Sequence, residues 1–352
     1  MESQNRRGVA YAIISAMLFG ASTPLCKIIM ADAHPVQMAG MLYLGSSIAL
    51  GLFILLRSIR PSGSSEAGLK LTDLPWLAGA TLFGGVVAPI LLLFGLSSTP
   101  ASTASLLLNL EAVLTALIAW FVFKENFDRR IALGMVAITI GCAILGWSGR
   151  PELGPPLGAL AIGAASLGWA IDNNFTRKIS ASDPVQIAAA KGLVAGTVNI
   201  VAAWALGART PEVRVIAAAG AIGSLSYGVS LTLFVLALRH LGSARTSAYF
   251  STAPFAGAIL SFLIVGERWT IGFGVGAVFM AVGLALHLIE RHEHQHRHES
   301  MEHEHLHYHD EHHRHSHDPS IPVTEPHSHR HRHEELIHTH PHYPDIHHQH
   351  SH

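Results

Sequence analysis

Cysteine is nearly absent: the 352 residues contain two, Cys26 and Cys142, each inside an apolar run. That excludes a disulfide framework and any zinc site built on paired CxxC motifs. Charge is scarce as well. Charged residues make up 13% against 49% hydrophobic, a balance too apolar for an ordinary soluble domain. There is no P-loop, so direct coupling to ATP finds no support. No cleavable signal peptide is visible either, because the first apolar run after Arg6 and Arg7 is as long as a membrane span and is followed by others. The formal net charge of −1 averages two unlike regions and identifies no partner.

Those regions meet near Ile289. Upstream, long apolar runs alternate with short polar punctuation; downstream, residues 290–352 hold 23 of the 26 histidines and almost no aliphatic side chains. A bilayer core needs about 20 apolar residues of helix. Ten stretches qualify: roughly 8–30, 35–57, 74–96, 101–123, 131–148, 155–177, 184–207, 213–238, 243–265 and 270–289. Glycine within them, as at Gly84, Gly85, Gly192, Gly196 and Gly276, suits close helix packing in lipid. The expected fold is an all-α integral membrane protein of ten transmembrane helices, with a disordered tail.

Lys and Arg in the short loops orient the spans. With the N-terminus inside, Arg6, Arg7, Arg57, Arg60, Lys70, Lys124, Arg129, Arg130, Arg177, Lys178, Arg239, Arg245 and Arg291 fall on the inner side. Arg150, Arg209, Arg214 and Arg268 fall outside. Both termini, and the histidine tail, are therefore expected in the cytoplasm.

Sliding the chain by 142 positions superposes Glu125 on Glu267, Gly134 on Gly276 and Gly141 on Gly283, so Ser105–Gly146 reads as a diverged copy of Ser247–Leu288. Phe19–Lys27 corresponds more weakly to Trp169–Arg177 at an offset of 150. Five spans per half is an odd number, so the second half enters the membrane from the opposite side. The division expected is 1–148 for the first repeat, 149–289 for the second and 290–352 for the tail. Inverted repeats commonly build alternating-access transporters with the substrate site between the halves.

Glu111 is the residue that most needs a reason. It lies ten residues into its span, about 15 Å deep, where a charge costs roughly 2.5–3.5 kcal/mol on insertion scales. It can bind a cation, carry a counter-transported proton, or do both in turn; the bland alternative is a neutral acid hydrogen-bonded to its neighbours. Its counterpart in the second half is Ala253, so the chemistry is asymmetric. Asp172 and Lys191 lie at matched depth on adjacent spans, which invites a structural ion pair as readily as a site. Asn109, beside Glu111, and Asn173 and Asn174, beside Asp172, supply amide oxygens that suit hard cations. Lys27 reads as snorkelling to the headgroups, and Glu125 and Glu267 as interfacial ion pairs with Lys124 and Arg268. Five tryptophans, Trp76, Trp120, Trp147, Trp204 and Trp269, read as an aromatic belt, with Trp169 deeper.

The tail is polar, proline-punctuated and too poor in aliphatics to build a core. Its H-x-H spacing presents imidazoles that ligate nickel, zinc, copper and cobalt. The candidate metal ligands are His292, His294, His296, His298, His303, His305, His307, His309, His312, His313, His315 and His317. A loose cytosolic metal buffer and a proton buffer are the competing readings.

Five plus five spans, a basic residue ending the first helix of each half, and a glutamate closing the fourth (LIAWFVFKENF and LSFLIVGERWT) resemble the EamA-type members of the drug/metabolite transporter superfamily over residues 8–289. Asn109-Leu110-Glu111-Ala112 departs from that pattern where many members carry proline, as Ala253-Pro254 does in the ninth span. The superfamily includes nickel-resistance exporters, and the resemblance implies a proton-coupled inner-membrane exporter of nickel or cobalt. The other reading is an exporter of a small organic metabolite such as an amino acid. Either way a carrier is expected and not an enzyme. It would have no cofactor other than the metal as substrate and tail ligand. The lipid bilayer and metal ions are its partners, with no nucleic acid and room for a homodimer.

Overall fold

The structure, a computed structural model, describes residues 2–30, 33–59, 68–123, 129–146, 157–179, 182–234, 236–237, 246, 249–288, 293–298, 301–307, 327–333 and 336–341. Up to residue 288 the described chain is helices and their connections. In order these are α1 (Glu2–Ile29), α2 (Pro35–Ile59), α3 (Leu71–Ser98), α4 (Ala101–Leu107), α5 (Leu110–Phe123) and α6 (Arg129–Gly146). The second half holds α7 (Leu157–Lys178), α8 (Pro184–Ala205), α9 (Val213–Phe234), α10 (Ala253–Val265) and α11 (Ile271–Leu288). Six helical stretches are long and apolar enough to cross a membrane: Arg7–Ile29, Pro35–Ile59, Leu71–Ser98, Ala101–Val122, Pro184–Ala205 and Val213–Phe234. Ala132–Gly146, Ala253–Val265 and Ile271–Leu286 are shorter apolar helices.

Local chemistry sets several ends. Asp183 caps α8 by accepting from Val185 N at 2.9 Å, with Pro184 at the first helical position where its missing N–H costs nothing. Gly266, at φ 72°, stops α10 in the left-handed region that side chains with a Cβ avoid.

The bundle is apolar on its outer surface. Ile48, Phe121 and Leu263 are each more than two-thirds exposed, whereas Ser15, Gln37, Ser166 and Asn199 are buried. Lipid tails cover such an exterior at no cost, so the chain needs little hydrophobic drive between its helices and packs them by close backbone approach. Between α6 and α11, a Cβ on Gly141 would lie 2.8 Å from Gly276 O, and one on Gly283 would lie 2.6 Å from Gly134 O. The contacts pair an early residue of each helix with a late residue of the other, so the two run antiparallel. The 142-residue shift turns the Gly134–Gly283 contact into Gly276–Gly141, which is the relation a two-fold axis between inverted halves imposes. α2 and α8 meet in the same way, with Gly40 against Ile200 and Gly196 against Leu44.

The halves also share an irregularity. Thr81–Val87 in α3 and Gly223–Val229 in α9 are both π-helical, and they lie 142 positions apart. A turn interrupts the helix at Leu108–Asn109, between α4 and α5, and another at Ser251–Thr252 before α10.

Beyond residue 288, Glu293–His298 (β1), Met301–His307 (β2), His327–His333 (β3) and Leu336–Pro341 (β4) form two antiparallel pairs, β1 with β4 and β2 with β3. The sequence reading expects no regular structure there and differs over these residues. Strict H-x-H alternation has the period of a strand. A two-stranded pair without an apolar face is marginal in water. Of the histidines singled out as metal ligands, His292, His309, His312, His313, His315 and His317 lie outside the described residues. His294, His296 and His298 fall on β1, and His303, His305 and His307 on β2.

Candidate functional site

The π-helical turn of α3 organises the interior. A π turn takes one residue more than an α turn and displaces carbonyls from the regular ladder. Here the Gly84 carbonyl accepts from Tyr43 Oη at 2.6 Å and from Trp169 Nε1 at 3.0 Å, and the Gly85 carbonyl accepts from Asn199 Nδ2 at 3.1 Å. Three helices, α2, α7 and α8, thus converge on two glycines of a fourth.

Asp172 sits against that turn. Lys191 Nζ donates to its Oδ2, and Thr176 Oγ1 donates to Oδ1 at 2.9 Å. Both carboxylate oxygens are engaged and Asp172 is buried, which is the arrangement the ion-pair strut requires. Gly84 makes it possible, since a Cβ there would lie 1.9 Å from Asp172 Oδ2.

Glu111 lies in the first turn of α5, just after the break at Leu108–Asn109. Its Oε1 accepts from Asn173 Nδ2 at 2.7 Å. Asn173 is exposed and Glu111 half-buried, so the pair is reachable from outside the packed core. Asp172 and Asn173 are adjacent in sequence but 100° apart around α7, so one carboxylate–cation pair and one carboxylate–amide pair stand side by side. The remaining amides are occupied locally. Asn174 Nδ2 donates to Ala170 O at 2.8 Å, and Asn109 Nδ2 donates to Leu106 O at 3.0 Å. Of the five sequence candidates, the structure joins Glu111 to Asn173, gives Asp172 to Lys191, and turns Asn109 and Asn174 to their own helices.

Tyr43 also meets an aromatic group. Its ring centroid is 5.3 Å from that of Tyr227, which lies 5.7 Å from Phe19, and Phe19 lies 5.4 Å from Phe250. Under the repeat, Tyr227 corresponds to Gly85 and Phe19 to Trp169, so one ring stands where the other half has a glycine and the other where it has an indole. Tyr43 and Asn199 escape sequence reasoning; polar groups in mid-span were the available signal. Trp169 is buried as its depth suggests, while Trp76, Trp120, Trp204 and Trp269 are exposed, as belt residues are. Trp147 and Glu125 lie outside the described residues.

Two readings need correction. The Lys27 ammonium does not reach for headgroups; it donates to the carbonyls of Leu96 and, at 2.9 Å, Thr99. Glu267 caps α4, accepting from Ala101 N at 2.5 Å and Ser102 N at 3.0 Å. Exposed carbonyls at one helix end and exposed N–H groups at the next attract these charges more strongly than solvent or Arg268 does. Among the described residues no group of three or more His, Cys, Asp or Glu is assembled to hold a metal ion.

Apolar helices in two inverted halves around a polar interior define a multi-pass membrane transporter. The chain belongs to the EamA-like transporter family, whose model matches it twice, over residues 6–147 and 156–289. It is 30% identical over 293 residues to an uncharacterized transporter of Methanothermobacter thermautotrophicus, covering 79% of this chain and 84% of the relative. It is 26% identical over 262 residues to the uncharacterized inner membrane transporter YedA of Escherichia coli K12, covering 71% and 80%. A solved crystal structure superposes with a TM-score of 0.59 at 17% identity, over 79% of this chain and 95% of that one, and shares the fold.

Proposed function

We propose that the chain is a secondary-active exporter of the inner membrane that moves a divalent transition-metal cation, nickel or cobalt, out of the cytosol in exchange for protons. In this reading the ten apolar stretches all cross the bilayer and both termini are cytosolic. YedA's description as an inner membrane transporter supports the location. The observation that carries the reading is Glu111: an acid at a helix break inside a membrane bundle, hydrogen-bonded by the Asn173 amide and, among the described residues, in no ion pair. Helix breaks of this kind are where inverted-repeat transporters place substrate and coupling ions. A cation would be held by Glu111 Oε atoms, the Asn173 amide oxygen after its side chain turns over, and water, an oxygen set that serves nickel and cobalt. Protonation of Glu111 from the outer side would release it. The tail, with 23 histidines in residues 290–352, would gather ions at the cytosolic mouth.

A second reading, export of a small organic amine such as an amino acid, draws on two observations. Asp172 is committed to Lys191, which leaves one carboxylate at the site, and Tyr43, bonded to the same Gly84 turn, begins a run of rings through Tyr227 and Phe19 to Phe250 of the kind that attracts an ammonium group. Uptake into everted vesicles separates the two. The metal reading expects proton-driven accumulation of nickel that amino-acid analogues do not inhibit; accumulation of the analogues and none of the metal would replace it with the second.

A further inference from the structure

Strand pairing puts the tail histidines in register with one another. β2 and β3 run antiparallel with His303 opposite His331, His305 opposite His329 and His307 opposite His327. Successive residues of a strand alternate between its two faces, so these three rungs share one face of the ribbon. The other face takes Glu302 opposite Arg332 and Glu304 opposite Arg330. Opposite charges at facing positions favour this alignment, whereas a slip of one residue either way would set His303 opposite an arginine. The charged rungs thus select the register that brings histidine to histidine. β1 and β4 keep the same offset, with His294 opposite His340 and His296 opposite His338. The pairing brings in His327, His329 and His331, which lie beyond the run of ligands read from sequence spacing.

We propose that each rung of facing histidines, His303 with His331, His305 with His329 and His307 with His327, is a site for one divalent transition-metal cation, and that the bound ions hold the ribbon together. Facing positions set Cβ atoms about 4.5–5.5 Å apart. Two imidazoles on one ion span that gap with metal–nitrogen bonds of about 2 Å, and water completes the coordination. Rungs on one face are about 7 Å apart along the strand, which keeps neighbouring ions distinct. A lone two-stranded pair is marginal in water, so the binding free energy of the ions becomes the folding free energy of the ribbon. The strands therefore pair as ions arrive and part as they leave. Pairing also returns Pro341 to Glu293, a few residues beyond the end of α11, so the ions collect near the helices and not along an extended chain. The proposal rests on the reading of the tail as a gatherer of metal ions, and is independent of what the helices transport.

The test uses the full chain in detergent with nitroxide labels at Leu306→Cys and Ser328→Cys, which face each other on the side away from the histidine rungs. Native Cys26 and Cys142 are buried and escape labelling. Zinc chloride is the probe, because a diamagnetic ion leaves the label spectrum free to report distance. Zinc should broaden the spectrum by dipolar coupling, and a chelator should reverse it. Labels at Met301→Cys and Ser328→Cys, five positions out of register, should broaden far less. Adding His305→Ala should raise the half-saturating zinc concentration about fivefold or more. His305→Ala with His329→Ala should raise it no further, since both belong to one rung, whereas His305→Ala with His331→Ala removes two rungs and should raise it more. His312→Ala with His315→Ala, an equal loss of imidazole elsewhere in the tail, should leave it unchanged. Absence of zinc-induced broadening overturns the proposal. So does equal broadening of the out-of-register labels, which means simple collapse, or an equal shift in the His312 and His315 variant, which means unspecific chelation. Failure to accumulate nickel in vesicles would sink the transport reading and leave these spectra untouched.

Discussion

Gly84→Ala tests the interior network most sharply, because one methyl group collides with its charged centre. A Cβ at residue 84 would lie 1.9 Å from Asp172 Oδ2, 2.3 Å from Cγ and 2.6 Å from Cβ. No heavy-atom contact survives at such distances, so either α3 or Asp172 must move. Overpacking alone costs about 1–3 kcal/mol. Displacing Asp172 adds more, since it strands Lys191 in the bundle, and breaking one partner of a buried pair costs about 3–5 kcal/mol. With roughly 2–4 °C lost per kcal/mol for a domain of some 200 residues, the melting temperature should fall by on the order of 10 °C. The assay is the fraction of monodisperse protein remaining after heating in detergent. Gly272→Ala is the control, because an added Cβ there meets nothing within 4 Å. A second arm removes the cause: Gly84→Ala combined with Asp172→Ala and Lys191→Met should recover most of the loss. A Gly84→Ala protein as stable as the Gly272→Ala control would refute the reasoning, and so would a triple variant no better than the single one.

Glu111→Gln keeps shape and hydrogen bonding but cannot ionise, so it should insert normally and lose proton-coupled transport; wild-type vesicle flux would remove Glu111 from the mechanism. Asp172→Asn and Lys191→Met should each reduce folded protein by several-fold, and the pair together should restore it, as read by yield of monodisperse protein; simple addition of the two losses would argue against a strut. Removing His292–His352 should raise the half-saturating metal concentration and leave the maximal rate nearly intact, with a collapsed maximal rate instead making the tail an obligatory part of the cycle. Lowering the cytosolic-side pH through the histidine range, about 6.5, protonates the imidazoles and should mimic that truncation in the full-length chain alone.

The apolar helices were legible in sequence because they are a matter of composition and length, which single residues cannot hide; of the ten spans expected, six described helices are long and apolar enough to cross a membrane. The Asp172–Lys191 pair was legible for a related reason: two opposite charges at matched depth on consecutive helices have few other places to go. Its neighbours were not, because Asn173 and Asn174 differ by 100° around α7, and only the packing says which of them faces Glu111. Lys27 and Glu267 were misread because their partners are backbone groups on a loop distant from both in sequence, and backbone acceptors leave no mark in a sequence. The π turns were invisible too, since one additional residue per turn requires no particular side chain. Tyr43 and Asn199 gave a faint signal as polar groups in apolar runs, but only the position of the Gly84 and Gly85 carbonyls gives them a partner.

The paired π turns at Thr81–Val87 and Gly223–Val229 also carry a history. An extra residue in one helix can arise by a single insertion, but the same insertion in two helices, at the same repeat position, is most simply inherited once. The wide turn is thus a feature of the repeat unit itself, and the two halves differ in the side chains they place on it. One kept glycines at that turn and gathered Tyr43, Trp169, Asp172 and Lys191 around them, while the other filled the same place with Ser226 and Tyr227.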